Sequence, residues 1–349
     1  MNDVERTRRM FLGRATRAGL GIVLLQSIPP WAIGRMRHTK AYRERSFFSM
    51  GSVATVCAYG ESTKQIDHAV NKVIAEFGRL DRMLSVFDSA SEISRINSAA
   101  GREPVSVSDE VCDLLGEARR WTERTSGQFD ITVGPLMELW GFRGTLPGEI
   151  PPDSAIRRVL EAVGVRHLVI DRRNRMAGLD HRDSKLDLGG IGVGYAIDRA
   201  VGILKSEGIE NAFLNHSGDA FALGKPDDQN GWIAAIPDPD KPSAALHDLC
   251  LSDCAVSTSA AYERFVKVGA ERYGHVMDVQ LGRPGRSGGS VTVVAGGAET
   301  ADALSTAAFS RGEPVRLLDN VGGTSYFIVQ RDGGGNWKIN GNTQKREQQ

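Results

Sequence analysis

The sequence predicts a single mixed α+β domain. Amphipathic helical patterns alternate with short β-rich segments along the 349 residues, and no internal repeat or shift in composition divides them. Hydrophobic residues make up 41% of the chain and charged residues 25%, as in ordinary soluble proteins. We therefore expect one domain with antiparallel or mixed sheets and packed helices over 46–332. A signal segment at 1–33, a linker at 34–45 and a disordered tail at 333–349 would flank it.

Charge and cysteine content exclude several classes of protein. The 43 basic residues balance the 43 acidic ones, whereas nucleic-acid-binding proteins carry a basic excess. The CLSDC segment has no second cysteine pair, and residues four apart on an extended strand lie too far apart for a disulfide. We expect the four cysteines to be isolated buried thiols.

The N-terminus resembles a twin-arginine export signal. Arg8 and Arg9 stand in the sequence TRRMFL, before an apolar segment at 18–33 that two prolines break. That segment is too short and interrupted for an ordinary membrane-spanning helix. We expect export to the periplasm by the Tat pathway. A basic amphipathic helix is the alternative, and a signal left uncleaved would hold the protein at the inner membrane.

The first half of the chain shows strands and capped helices. Residues 47–59 alternate as a strand, and Ser62 precedes a long helix with a continuous apolar face. The polar stretch after this helix, 84–98, predicts a loop. Ser108 caps a second helix that ends near Gly127.

Asp130 is the first candidate site residue. It lies between Phe129 and Ile131, and a carboxylate in apolar surroundings needs a cation, a ligand or backbone N–H groups as partner. The alternative is that Asp130 caps the short helix PLMELW that follows.

The segment from Leu186 to Gly224 is the centre of the predicted domain. Asp187 is followed by four closely spaced glycines, a helical pattern from Tyr195, and a strand–turn–strand that carries an acid. Helix N-termini and glycine amides suit phosphate groups, although the glycines could serve a tight turn alone. The spacing fits neither the Rossmann nor the P-loop motif.

The last third of the chain contains a candidate metal pair. After strands at 232–236 and 290–297, an amphipathic helix is predicted over 299–311. Asp302 and Thr306 are four residues apart, so both oxygens lie on one helical face, as a hard cation such as Mg²⁺ requires. The alternative is that Asp302 caps this helix while Thr306 bonds back within it.

Together these segments resemble the FAD:protein FMN transferase family, known as the ApbE family. The resemblance extends from about Met50 to Phe327. It is carried by the segments MGS, LSVFDSASEISRIN, GQFDITVGPLMELWGF, LDLGGIGVGYAIDRA, NHSGDAFALG, AVSTSAAYERF, GHVMD and ETADALSTA. It implies an ApbE-like, T-fold-like domain that transfers FMN from FAD to a Thr or Ser hydroxyl of an acceptor protein, forming a phosphodiester and releasing AMP.

The resemblance also assigns roles to residues. It implies His275 as the catalytic residue and Mg²⁺ as the cofactor, held by Gly190, Asp302 and Thr306. It implies FAD contacts from Met50, Gln128, Phe129, Asp130, Asp187, Val193 and Met277. The acceptor would be a flavin-carrying subunit of a membrane redox complex.

The chain departs from the family pattern at several positions. Val193 stands where the family usually has Lys or Glu, and Phe87 where it has Tyr. Ala260 replaces a glycine, and Val279 a proline. Because these changes remove predicted flavin contacts and leave the metal pair, a hydrolase that releases FMN and AMP and a non-catalytic flavin-binding protein remain the alternatives.

Overall fold

The structure is a computed structural model that describes most of the chain after the N-terminal segment. The described residues are 40–342, except 145–146, 148, 227–228, 242, 262–263, 269–270, 286–287, 311–313 and 322. The predicted export signal at 1–33 therefore lies outside the described residues. Within them, no helix combines the length and the apolar character that crossing a bilayer requires.

An eight-stranded antiparallel sheet forms the centre of the domain. The strands are β1 (Ala41–Ser49), β2 (Ser52–Gly60), β3 (Val105–Ser106), β4 (Leu168–Asp171), β5 (Met176–Leu179), β6 (Asn211–His216), β7 (Asp219–Leu223), β8 (Trp232–Pro237), β9 (Ala245–Leu251), β10 (Cys254–Ala260), β11 (Phe265–Val268), β12 (Glu271–Gly274), β13 (Met277–Asp278), β14 (Arg283–Pro284), β15 (Ser290–Ala295), β16 (Ser325–Arg331) and β17 (Trp337–Asn342). The central sheet has the order β1-β2-β6-β7-β10-β15-β16-β17. A small sheet, β3-β5-β4, and three two-stranded sheets accompany it.

Helices cover one face of this sheet and a hairpin lies on the other. The helices are α1 (Thr63–Leu84), α2 (Glu92–Ser98), α3 (Asp109–Arg124), α4 (Gly134–Leu139), α5 (Asp153–Leu160), α6 (Gly192–Ser206), α7 (Ala298–Ser310) and α8 (Pro314–Val321). Helices α1, α6 and α7 bury the main core against the sheet. On the opposite face Trp232 of β8 packs on Tyr59 and Phe213. The predicted α+β class is confirmed.

Helix α1 shows how local sequence produces an element. The hydroxyl of Ser62 accepts a hydrogen bond from the N–H of Gln65 at 3.2 Å, which satisfies one free donor of the first turn. The apolar residues of the helix then recur at three and four positions, and those on the core side are fully buried. Cap and periodicity therefore define α1 without reference to the rest of the fold.

Several predicted boundaries are wrong. The strand expected at 47–59 is a hairpin, because Met50 and Gly51 adopt φ +47° and +81° and form a two-residue turn between β1 and β2. Pairing with β2 also extends β1 to Ala41, inside the predicted linker. Strand β17 pairs with β16 inside the predicted tail.

Two further expectations, the loop at 84–98 and the burial of all four cysteines, are wrong in part. Part of the predicted loop at 84–98 is helix α2, which Ser91 caps by accepting the N–H of Ser94 at 2.9 Å. Cys57, Cys112 and Cys254 are buried free thiols as expected, but Cys250 is exposed.

Candidate functional site

The glycine turn before α6 is fixed at its start by two distant segments. The side chain of Asn97 donates to the carbonyl of Leu186 at 3.0 Å and accepts its N–H at 2.6 Å. The N–H of Asp187 donates to the carbonyl of Ile131 at 2.7 Å. These bonds hold the glycine turn beside the segment that carries Asp130, so two motifs more than fifty residues apart form one site.

The three predicted metal ligands lie together where this turn meets α7. A Cβ atom on Gly190 would stand only 2.9 Å from Oγ1 and 3.0 Å from Cγ2 of Thr306, so a larger residue there would have to displace Thr306. Four residues after Gly190, and four residues before Thr306 on α7, the N–H of Gly194 donates to Oδ2 of Asp302 at 3.1 Å. The main-chain turn and two oxygen-bearing side chains therefore converge.

The alternative interpretation of this pair does not hold. Asp302 lies in the second turn of α7 and is 4% exposed, so it does not cap its own helix. Ser305 and Ser310 bond back to carbonyls of α7 at 3.1 and 2.8 Å, whereas among the described residues no such bond ties Thr306. Over the same residues, no group of three or more His, Cys, Asp and Glu side chains could hold a metal. The predicted set is of another kind, with one carboxylate, one hydroxyl and one carbonyl, and stays a prediction.

Asp130 is bound by neighbouring main chain and by one hydroxyl. Its Oδ1 accepts the N–H and the hydroxyl of Thr132 at 2.8 and 2.7 Å, and its Oδ2 accepts the N–H of Val165 at 2.8 Å. Burial raises the pKa of Asp130, and these three donors oppose the rise. The cap position of α4 is held by Val133, so Asp130 is not the cap either. The carboxylate of Asp130 therefore joins its own loop to the turn at Val165.

Asp187 holds a cation next to the glycine turn. One carboxylate oxygen accepts the N–H of Gly189 at 2.8 Å, and the other pairs with the guanidinium of Arg143 at 2.5 and 2.7 Å. The same guanidinium lies over the ring of Phe87, with its central carbon 4.8 Å from the ring centroid, and Phe87 is 82% exposed. The site therefore has an exposed aromatic ring backed by a charge pair.

The remaining predicted FAD residues differ in their surroundings. Phe129 is buried against Gly190. The main-chain carbonyl of Gln128 accepts a hydrogen bond from the hydroxyl of Ser310 at 3.2 Å. The side-chain oxygen Oε1 of Gln128 is buried and has no hydrogen-bond partner in the described structure. Val193 packs half-buried against the main core. Met277 is buried among Leu136, Trp140, Ile156 and Val163. Their contacts with FAD stay predictions.

Met50 stands at the tip of the β1–β2 hairpin. Its N–H donates to Oδ2 of Asp81 on α1 at 3.0 Å, and this bond holds the left-handed turn against the helix. A Cβ atom on Gly192 would lie 3.7 Å from the methyl group of Met50, so the hairpin tip reaches the first turn of α6. The edge of the sheet therefore borders the site.

His275 is a neutral imidazole with a defined tautomer. Its Nδ1 lies 3.3 Å from the carbonyl of Arg264, which can only accept, so Nδ1 carries the proton and Nε2 holds the lone pair. Burial, together with the positive charge of Arg264, lowers the pKa of His275 to about 4. The charge of Asp187 opposes this shift, so His275 belongs to the same electrostatic environment as the glycine turn.

Two serines of β10 form hydrogen bonds with α7 from the face of the central sheet. Ser305 of α7 lies 2.8 Å from the hydroxyl of Ser257 and 3.0 Å from that of Ser259. Thr258 points to the other face and pairs with Thr292 at 2.9 Å. Two of the three consecutive hydroxyls, those of Ser257 and Ser259, thus anchor the helix that carries the predicted metal ligands.

Sequence reasoning missed the residues that orient this site. Asp81, Asn97, Arg143 and Arg264 act through contacts 11–89 positions away along the chain. The polar segment around Asn97 predicts a loop, and nothing in that pattern indicates a contact with Leu186. Asn97 and Arg264 lie within the family segments LSVFDSASEISRIN and AVSTSAAYERF, and Arg143 directly follows GQFDITVGPLMELWGF, so their positions in or next to these segments are the available signal.

Comparison with known proteins identifies the family. The ApbE family model matches residues 50–328. The FAD:protein FMN transferase of Salmonella typhimurium is 30% identical over 293 residues, which cover 82% of this chain and 84% of the relative. The corresponding protein of Escherichia coli K12 is 29% identical, with 82% and 83% covered.

Solved structures agree with this result. The ApbE protein of Thermotoga maritima is 32% identical with a TM-score of 0.76, covering 85% of this chain and 96% of the other. The flavin transferase ApbE of Vibrio cholerae is 26% identical with the same TM-score, covering 86% and 97%. The chain therefore belongs to the ApbE family.

Proposed function

We propose that this protein is a magnesium-dependent FAD:protein FMN transferase. It would cleave the diphosphate of FAD, attach FMN to a Thr or Ser hydroxyl of an acceptor protein, and release AMP. The curated relatives carry the name of this activity. The observation that supports it most is that Thr306 lies so close to Gly190 that a Cβ atom there would stand 2.9 Å from its hydroxyl oxygen, beside Asp302 and at the N-terminus of α6.

The oxygens at this position suit Mg²⁺. Magnesium prefers oxygen ligands, takes one or two carboxylates from the protein, and leaves its other positions to water and phosphate. Asp302, Thr306 and the carbonyl of Gly190 would supply such a set. When bound, the ion would neutralise charge on the phosphate oxygens of FAD and so favour attack at phosphorus.

His275 is proposed as the base for the incoming hydroxyl. Since its pKa is lowered to about 4, it is neutral near pH 7, and its Nε2 lone pair is available for the proton. The acceptor oxygen forms a bond with the phosphorus of the FMN half. The bond between that phosphorus and the bridging oxygen breaks, and AMP departs with that oxygen.

The proposed location is supported by the predicted export signal, and the proposed acceptor by the family resemblance. Arg8 and Arg9 favour export to the periplasm by the Tat pathway. We propose that the acceptor is a flavin-carrying subunit of a membrane redox complex, in which a hydroxyl on the exported side receives FMN. An uncleaved signal would keep the enzyme at the same membrane.

Mass spectrometry of a co-expressed acceptor tests the proposal. The full chain and an acceptor subunit are incubated with FAD and Mg²⁺, with and without a chelator. A gain of one FMN less one water on a Thr or Ser of the acceptor, dependent on Mg²⁺, is expected. Free FMN and AMP without an adduct would indicate a hydrolase, and unchanged FAD would indicate a binding protein; either result contradicts the proposal.

A further inference from the structure

Helices α6 and α7 each place a carboxylate against the N-terminal N–H groups of the other. Asp198, in the second turn of α6, accepts the N–H of Ala298 at 2.7 Å through Oδ1 and the N–H of Glu299 at 2.9 Å through Oδ2. Asp302, in the second turn of α7, accepts the N–H of Gly194 at 3.1 Å. Each helix therefore receives from the other the acceptor that its own first turn lacks.

The contacts follow a four-residue repeat along both helices. Gly190 lies against Thr306, Gly194 against Asp302, and Asp198 against Ala298. Residue numbers therefore rise along the glycine turn and α6 while they fall along α7. One turn of helix is 3.6 residues, so this repeat aligns the first turns of α6 and α7 antiparallel. The predicted metal ligands occupy two of the three levels, and Asp198 occupies the third.

The helices approach too closely for sliding to be tolerated. A Cβ atom on Gly194 would lie 2.4 Å from the carbonyl oxygen of Ala298, and one on Gly297 would lie 3.2 Å from Oδ2 of Asp198. Any change of register would bring main chain into collision with main chain. The placement of Thr306 against Gly190 thus depends on where the first turn of α7 is held.

Holding that turn with a partly buried acid is costly. Burial raises the pKa of Asp198, and the two N–H donors and Lys205 oppose the rise. Ser62 and Ser108 cap α1 and α3 with neutral hydroxyls, each of which reaches one N–H. A carboxylate that receives two N–H groups fixes both the position and the rotation of α7 more tightly than such a cap.

We propose that Asp198 is a positioning residue for the metal site, which sets the register of α7 on α6 and so places Asp302 and Thr306 opposite Gly190. The inference rests on the proposed magnesium-dependent function. It assigns Asp198 no contact with the ion or with FAD. Residues that orient metal ligands typically change metal affinity by roughly 10- to 100-fold when they are replaced.

Metal binding without catalysis provides the test. Mn²⁺, observed by its electron paramagnetic resonance signal, is titrated into the full chain and its Asp198→Ala, Asp198→Asn and Ser62→Ala variants, and melting curves are recorded alongside. Asp198→Ala should weaken Mn²⁺ binding at least about tenfold. Asp198→Asn keeps an acceptor oxygen and should lie between wild type and Asp198→Ala.

Ser62→Ala is the matched control, because it removes a helix cap from the far end of α1. It should lower the melting temperature by a few degrees, as the loss of about 1 kcal/mol implies, and leave Mn²⁺ affinity unchanged. Equal Mn²⁺ affinity in wild type and Asp198→Ala would overturn the positioning role and leave the proposed function intact. A wild-type protein that binds no Mn²⁺ would overturn the metal assignment and the inference with it.

Discussion

Replacing Asp302 separates its two roles in the structure. We expect Asp302→Ala to reduce FMN transfer at least about a hundredfold, because it removes the only carboxylate assigned to the ion. Loss of a Lewis acid typically costs several kcal/mol of transition-state stabilisation, and each ~1.4 kcal/mol is a factor of ten in rate. Thr306→Ala should cost less, since water can replace a neutral hydroxyl.

The same change should also lower stability. Asp302 is 4% exposed and accepts the N–H of Gly194, so its removal leaves one donor of α6 buried without a partner. Lost caps cost about 0.5–2 kcal/mol, which lowers the melting temperature by roughly 1–3 °C for a domain of this size. Because typical domains have about 5–15 kcal/mol of stability, the variant stays folded at 25 °C, and unfolding cannot account for a hundredfold loss.

Asp302→Asn distinguishes the two effects. The amide keeps an oxygen for the N–H of Gly194 and loses the charge that the ion needs. We expect its melting temperature to stay near that of the wild type, while transfer falls about as far as in Asp302→Ala. The assay is the initial rate of covalent flavin formation against Mg²⁺ concentration. Wild-type rates with unchanged Mg²⁺ dependence in both variants would refute the assignment of Asp302 to the metal.

Three other predictions concern the base, the nucleotide and export. Because the pKa of His275 is about 4, kcat/KM for transfer should stay level from pH 8 to 5 and fall only as the imidazole becomes protonated near pH 4. Arg264→Gln removes a positive charge that lowers this pKa, so the fall should occur at a higher pH in that variant. A fall centred near pH 6.5 in the wild type would contradict this. Val193→Lys should tighten FAD binding in a titration by adding a cation near the diphosphate, and equal or weaker affinity would argue against placing this turn at the nucleotide. Replacing Arg8 and Arg9 by Lys should leave the protein in the cytoplasm; unchanged periplasmic yield on fractionation would exclude the Tat route.

The elements that the sequence predicts correctly are those encoded locally. Helix α1 has its cap, its apolar period and its polar face within 23 consecutive residues. Helix α7 was expected over 299–311 and spans Ala298–Ser310. In α1, burial of one face follows from a 3.6-residue period, so no knowledge of partners is needed. Helix α7 is instead buried on almost every side, so the amphipathic character expected of it is not found.

The elements that the sequence misses depend on partners far along the chain. Strand β5 pairs with β3 and β4, and β9 pairs with β8 across a polar loop. Strand β17 is only partly buried and alternates weakly, so its pairing with β16 is the main determinant of its conformation. Helix α2 has seven residues, too few for a clear period, although Ser91 is a recognisable cap.

The three carboxylates of the site show why a motif does not by itself define a role. Asp130, Asp187 and Asp302 each lie in an apolar segment, and that pattern predicts a partner without naming it. In the structure Asp130 is occupied by two N–H groups and a hydroxyl, Asp187 by Arg143 and one N–H, and Asp302 by an N–H of α6. Both oxygens of Asp130 are held by hydrogen bonds to its own loop and to Val165, whereas Asp302 lies on the face of α7 that meets Gly190 through Thr306. Metal binding should therefore be more sensitive to Asp302 than to Asp130, whose replacement should act first on the loop that it joins to Val165.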